Sequence, residues 1–60
     1  MEQTLTVKIA NSEIMFSDLD KDNEVEISIR DSFGSCNGIY VKKENINSII
    51  QHLCYLRDKE

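Results

Sequence analysis

The chain has no proline, and it contains only two glycines and two cysteines among its 60 residues. No proline-rich or glycine-rich stretch divides it, no internal repeat is visible, and the apolar residues come in short runs such as 14–16. The N-terminal residues 1–4 lack the positive segment and the long apolar core of a secretion signal. We therefore expect a single domain spanning residues 1–60, with neither a membrane span nor an export signal.

Basic residues are also scarce. Seven Lys and Arg residues stand against eleven Asp and Glu residues, which gives a formal net charge of −4 at pH 7. Proteins that bind nucleic acids generally present basic patches to the phosphates, so this balance argues against direct nucleic-acid binding. A protein partner with a basic surface fits the charge better.

Residues that support catalysis or metal binding are few. The chain has one histidine, His52, and two cysteines, Cys36 and Cys54, without Cys-x-x-Cys or His-x-x-x-His spacing. Two cysteines are too few for the disulfide framework of a small secreted scaffold, so we expect reduced thiols in a cytoplasmic protein, with a Cys36–Cys54 disulfide as the alternative. These residues do not supply a nucleophile, a base and an orienting group that can be brought together. We predict no enzyme activity, no metal and no cofactor.

Alternation of apolar and polar residues is typical of β-strands. It occurs in four segments, at about 4–10, 13–17, 25–30 and 39–41. Asn11-Ser12 is the predicted turn between the first two strands. Between the third and the fourth, we expect either a two-residue hairpin turn at Gly34-Ser35 or an open loop over Asp31 to Gly38.

From about Lys43 to Arg57 the apolar residues recur at intervals of three and four, which predicts an amphipathic helix. Lys42 stands where a capping Ser or Thr is usual, and Asn45 is the alternative cap of a slightly shorter helix. The apolar positions of the helix are Ile46, Ile49, Ile50, Leu53 and Leu56.

The sequence thus predicts an α+β fold, an antiparallel β-meander of three to four strands with one C-terminal amphipathic helix packed on one face. A domain of this length buries only about 60% of the surface that its unfolded chain exposes. Oligomerisation is therefore a plausible supplement to the core.

Five of the eleven acidic residues fall at every second position of one stretch. In an extended chain, such side chains project from one face about 6.6 Å apart. We expect residues 18–23 to form a turn, with the last two carboxylates on the polar face of the third strand. This stretch is the candidate binding site for a basic partner, and a merely solvated surface is the alternative. We call it the acidic segment, and its members are Asp18, Asp20, Asp22, Glu24 and Glu26.

The spacing of Asp18, Asp20 and Asp22 also matches the first three ligand positions of an EF-hand calcium loop. The match ends there, because Asn23 stands where that loop needs glycine and Ile29 where it needs a bidentate glutamate. The flanking segments are also predicted strands, not helices. We therefore predict no calcium site.

Tyr55 lies about 180° around the predicted helix from the apolar stripe, at 100° per residue. Together with Ser48 and His52 it forms a strip bordered by Leu56. Aromatic residues are favoured in protein contacts, so His52, Tyr55 and Leu56 form a candidate surface for self-association. An ordinary exposed tyrosine is the alternative.

The strand 27–31 is followed by the run Gly38 to Leu53, which reads GIYVKKENINSIIQHL. In this run a strand of Gly-Ile-Tyr type leads through a short Lys-Glu step into one amphipathic helix. That arrangement resembles a pattern common in small phage and prophage proteins, and the resemblance covers the C-terminal half of the chain. It departs from the pattern at Lys42, where a capping Thr or Ser is usual.

The resemblance implies a class of protein and not an activity. Such phage proteins frequently bind and block a host enzyme or defence complex, and several inhibitors of nucleic-acid-handling machinery are compact and acidic. We therefore predict a non-enzymatic inhibitor in the host-cell cytoplasm that binds a basic, nucleic-acid-handling surface of a host or defence protein.

Two alternatives stay open. The first is an oligomeric module that binds a small ligand or nucleotide at a subunit boundary, where Arg30, Lys42, Lys43 or Arg57 would meet an anionic group. The second is a small regulatory subunit of a larger complex.

Overall fold

The computed structural model describes residues 2–59 and contains one sheet and one helix. The elements are, in chain order, β1 (Leu5–Ile9), β2 (Ser12–Phe16), β3 (Glu24–Arg30), β4 (Cys36–Lys42) and α1 (Lys43–Asp58). Neighbouring strands pair antiparallel in the order β1-β2-β3-β4. The predicted α+β class and the four-stranded meander are confirmed. Among the described residues, α1 is the only helix, and it is not long and apolar enough to cross a membrane.

The hairpin between β1 and β2 turns at Ala10 and Asn11, because Ile9 pairs directly with Ser12. The predicted turn at Asn11-Ser12 was therefore wrong by one residue. Ala10 has φ 55°, the left-handed conformation that tight two-residue hairpin turns require at their first position. Alanine seldom adopts this conformation, so the residue type gave no signal for the turn.

The loop 31–35 joins β3 to β4 between the paired residues Arg30 and Cys36. Asp31 organises it, since its Oδ1 atom accepts hydrogen bonds from the N–H groups of Phe33 at 2.9 Å and Ser35 at 3.0 Å. Gly34 has φ 87°, which explains the glycine. The sequence left two alternatives for this connection, a two-residue turn and an open loop. The observed loop has five residues and is held by hydrogen bonds, so it is longer than the first and more ordered than the second.

The strand register gathers the apolar side chains on one side of the sheet. Val7 pairs with Ile14, Ile14 with Ile29, and Ile27 with Ile39. Because side chains alternate between the two faces of a strand, all residues in phase with these share a face. We call it the apolar sheet face. It includes Ser12 and Asn37 at one end, and its apolar members are Leu5, Val7, Ile9, Ile14, Phe16, Val25, Ile27, Ile29, Ile39 and Val41.

The helix α1 begins at Lys43, directly after the last residue of β4. Lys42 occupies the cap position in extended conformation, and its side chain makes no capping hydrogen bond to the described residues. The N–H group of Lys43 instead donates to the carbonyl oxygen of Asn23 at 2.9 Å. The alternative start at Asn45 was wrong, because a carbonyl from a distant turn satisfies a free amide of the first helical turn.

The helix does not cover the sheet as the sequence predicts. It lies mainly against β4, and none of its residues 43–58 is buried. Val41, with 9% of its surface exposed, is the one buried hydrophobic residue of the described chain. The reason is the junction: β4 is an edge strand, and without connecting residues after Lys42 the helix cannot turn back over the strands.

Candidate binding site on the acidic segment

The acidic segment divides between a turn and a strand. Asp18, Asp20 and Asp22 lie in the connector 17–23 between β2 and β3, while Glu24 and Glu26 belong to β3. The division that the sequence predicts is therefore confirmed. On β3, both glutamates lie opposite the apolar sheet face, with Lys42 and Tyr40 as their partners on β4.

Asp18 fastens the N-terminal residues to the connector. Its Oδ2 atom accepts a hydrogen bond from the N–H group of Gln3, and its Oδ1 atom accepts one from Leu19, each at 2.7 Å. The bond from Gln3, followed by that from Leu19, lowers the pKa of Asp18, because both bonds favour the ionised carboxylate. Asp18 thus has a structural role that its place in the alternating pattern did not indicate.

Asp20 closes the turn. Its Oδ1 atom accepts hydrogen bonds from the N–H groups of Asp22 at 2.8 Å and Glu24 at 3.0 Å. The backbone of Asp20 bonds in addition to Glu24 and Asn23. An aspartate that binds the backbone two residues ahead is a common turn former. The other three carboxylates of the segment make no hydrogen bond to the described residues 2–59. They belong to Asp22, Glu24 and Glu26.

The turn draws three carboxylates into a cluster. Oxygen atoms of Asp20, Asp22 and Glu24 lie within 4.8 Å of one another, the one group within residues 2–59 with the spacing to hold a metal ion. Asn23 has φ 59°, the conformation a glycine would take, so its identity is no argument against a calcium loop. Ile29 still argues against a calcium loop, because it lies on the apolar sheet face and supplies no carboxylate.

Few cations balance this cluster. Within residues 2–59, the ion pair that forms is Arg57 with Asp58, at 3.0 Å from Nε to Oδ1. Lys42 is the cross-strand neighbour of Glu24, yet their charged groups do not come within ion-pair distance. The negative charge of the segment therefore faces solvent largely without internal compensation.

Gly38 makes room for one of these carboxylates. A Cβ atom at Gly38 would lie 3.3 Å from Oε2 of Glu26 and 3.4 Å from the carbonyl oxygen of Ile27. The Glu26 side chain therefore crosses over the glycine on the neighbouring strand. The sequence places Gly38 at the end of a loop or at the start of a strand, and the register of β3 against β4 would have been needed to find this role.

A groove of about 780 Å³ adjoins the cluster, between the connector and the first turn of α1. Its apolar lining comes from Leu19, Val25 and Ile46, and Asp22 stands at its border with Lys43. The one sign of it in the sequence is an apolar Leu19 in an otherwise polar connector. The groove itself depends on three elements that meet only in the fold.

The candidate self-association residues lie together on α1. The rings of His52 and Tyr55 have centroids 6.1 Å apart, and Nζ of Lys59 lies 5.7 Å from the centre of the Tyr55 ring. Tyr55 and Leu56 are both exposed. The predicted strip therefore exists as a surface, and its role in self-association stays a prediction.

The two cysteines are free in the structure, Cys36 exposed at the start of β4 and Cys54 half-buried on α1. The disulfide that the sequence left open is thus not formed. Within residues 2–59, neither thiol joins His52 in a group with metal-binding spacing.

Comparison with known proteins gives no further guide to the acidic segment. No protein-family model, no curated protein and no solved structure matches the chain. The likeness to small phage proteins therefore stays a prediction.

Proposed function

We propose that this chain is a non-enzymatic interaction protein that binds a basic surface of another protein through the acidic segment. In the fuller form of the proposal, that surface normally handles nucleic acid, and the chain inhibits by occupying it. The observation that carries the proposal is the cluster of Asp20, Asp22 and Glu24, whose carboxylates lie within 4.8 Å of one another.

The charge distribution supports this function. The acidic segment with its single Lys21 has a formal charge of −4, which equals that of the whole chain. The rest of the molecule is therefore neutral on balance, and the net charge acts from one corner. Such a concentrated charge accelerates encounter with an opposite surface and fixes the orientation of the complex.

The turn geometry makes the charge a defined feature of the surface. Because Asp20 holds the connector through hydrogen bonds to the N–H groups of Asp22 and Glu24, the backbone that carries these carboxylates is held in place. A preorganised surface loses less conformational entropy on binding than a flexible acidic tail.

The test removes charge without removing the turn. Asp22→Asn, Glu24→Gln and Glu26→Gln together take away three charges and leave Asp18 and Asp20 in place. An immobilised oligoarginine peptide serves as the basic probe, measured at low and at high salt. We expect the variant to bind more weakly at low salt and the difference to shrink at high salt, because salt screens exposed charges.

A matched control carries the same change in net charge elsewhere, through Glu13→Gln, Glu44→Gln and Asp58→Asn. It should bind the probe more tightly than the segment variant. Equal binding by the two variants would refute the proposal, since only total charge and not the acidic segment would then matter.

The anion-binding alternative draws less support from the geometry. Arg57 is already bonded to Asp58, which raises the pKa of Arg57. Arg30 and Lys42 lie at opposite ends of the β3–β4 ladder, about 20 Å apart at 3.3 Å per residue. Lys42 and Lys43 both line the groove, but Arg30 lies too far away to join them at one anion.

A further inference from the structure

Two large apolar surfaces of the protomer have no partner. On the apolar sheet face, Leu5 is 55% exposed and Ile39 is 63% exposed. On the helix, Leu53 is 57% exposed. We call the apolar positions of α1 the helix stripe, and they are Ile46, Ile49, Ile50, Leu53 and Leu56.

The total exposed area shows how much surface lacks a partner. The protomer exposes 5388 Å², whereas a folded monomer of 6.9 kDa is expected to expose about 4000 Å². The excess of about 1400 Å² exceeds the roughly 800 Å² that each partner contributes to a standard interface. Doubled over two protomers, it falls in the range of about 2000–5000 Å² found for obligate homodimers.

The shape of the protomer agrees with its area. Its radius of gyration is 12.9 Å, against about 10.4 Å expected for a compact domain of this length. The helix extends from the edge of the sheet instead of closing over it. An isolated protomer is thus too open to bury its own apolar residues.

We propose that the chain forms a homodimer in which α1 of each protomer packs its helix stripe across the apolar sheet face of the other. A second copy is the occupant because the chain itself supplies both complementary surfaces. The direct junction at Lys42–Lys43 holds the helix away from its own sheet, and a two-fold axis brings it onto the other copy. Such an isologous exchange covers both surfaces of both protomers.

The dimensions suit this arrangement. The part of α1 beyond Ile46, residues 47–58, is about 18 Å long at 1.5 Å per residue. The outer strands of a four-stranded sheet are about 14 Å apart at 4.8 Å per strand. The helix is therefore long enough to cross every strand of the partner.

The positions within the helix divide by role. Ile46 is half-buried at the groove of its own protomer, beside Leu19 and Val25. The later stripe residues are exposed and face the partner in the dimer. Tyr55 lies on the opposite side of the helix and stays outside this interface. Of the candidate self-association residues, the dimer therefore uses Leu56 and not Tyr55.

The first test is the mass of the wild-type protein in solution. Sedimentation equilibrium at micromolar concentration should give twice the protomer mass of 6.9 kDa. A folded monomer, recognised by its helical and strand circular dichroism, would overturn the proposal. The acidic segment takes no part in the interface, so its neutralised variant should also be dimeric.

The second test places opposite charges on the two surfaces. Leu53→Asp on the helix stripe and Ile39→Lys on the apolar sheet face should each weaken the dimer by about a hundredfold to ten-thousandfold, since each loses two buried apolar side chains per dimer. Ser48→Asp on the polar side of α1 is the matched control and should leave the mass unchanged.

Mixing the two damaged variants tests the exchange itself. In the proposed heterodimer, one helix and one sheet face are both wild type and form an intact contact, while the other contact carries both the introduced aspartate and the introduced lysine. We therefore expect the mixture to dimerise although each variant alone does not. If the wild type is a dimer but the two variants do not dimerise when mixed, helix exchange is overturned. That result is expected of a dimer in which helix packs on helix or sheet on sheet, because each such contact would keep one damaged side in the mixture. If the two variants do not fold, a single Val7→Cys variant of the otherwise wild-type chain is used instead, and its new thiol is cross-linked to Cys54. A cross-link between two chains supports helix exchange, and a cross-link formed only within one chain overturns it.

Discussion

Replacing Ala10 by glycine is expected to stabilise the protein. Ala10 has φ 55°, and the left-handed conformation costs an L-residue about 1–2 kcal/mol. Glycine removes this strain but loses about 0.5–1 kcal/mol more conformational entropy than alanine on folding. The difference predicts a gain of about 0.5–1 kcal/mol per protomer in the free energy of unfolding.

The measurement is urea denaturation followed by circular dichroism. Wild type and variant are compared at the same protein concentration, because the stability of the proposed dimer would depend on concentration. We expect a higher midpoint with an unchanged slope, since the surface exposed on unfolding stays the same.

Two further variants separate turn strain from other effects of glycine. Ala10→Asn should be at least as stable as the wild type, because asparagine tolerates the left-handed region. Thr6→Gly, within β1, should destabilise by about 0.5–1 kcal/mol, since the strand conformation brings glycine no relief. If Ala10→Gly lowers stability as much as Thr6→Gly does, the strain argument is refuted.

Three other predictions concern single residues. Gly38→Ala should be tolerated, because the flexible Glu26 side chain can give way. Gly38→Val should destabilise the protein by about 1–3 kcal/mol, because the larger side chain crowds the strand backbone. Thermal unfolding distinguishes the two variants. The lowered pKa of Asp18 stabilises the folded state at pH values above the unfolded pKa of 3.8, and this contribution is lost as the pH falls through the folded pKa. When stability is measured as a function of pH, Asp18→Asn should therefore lose less stability at acid pH than the wild type. Asn23→Ala should speed hydrogen exchange of the Lys43 amide, whereas Asn23→Gly should preserve the left-handed turn and its hydrogen bond; equal exchange in the two variants would contradict that reasoning.

The local pattern of the sequence determines the strands and their faces. Val25, Ile27 and Ile29 alternate with polar residues, and alternation alone places them on one face. The turn at Ala10 was missed by one residue because alanine carries no preference for positive φ. The helix start depends on Asn23, twenty residues away in the chain, which no local pattern contains.

The position of the helix shows the limit of such reasoning. An amphipathic helix after an amphipathic sheet predicts that the two apolar surfaces of one chain meet, whereas in the structure α1 lies mainly against β4 and has no buried residue. The informative signal lies in Lys42-Lys43, where no glycine or asparagine provides a reversal between strand and helix. For the acidic segment, the turn and strand portions were predictable from parity. The structural roles of Asp18 and Asp20 were not, because they depend on where the amides of Gln3 and Glu24 come to lie.

The hydrogen bond from Lys43 to Asn23 has a consequence for how the molecule opens. It clamps the β3–β4 hairpin at the end opposite its loop, so this edge of the sheet cannot fray one residue at a time. For β4 to peel away from this end, the connector 17–23 must first release the amide of Lys43. The opening of β4 is therefore coupled to that of the connector, and the amide protons of the two should exchange with similar free energies of opening.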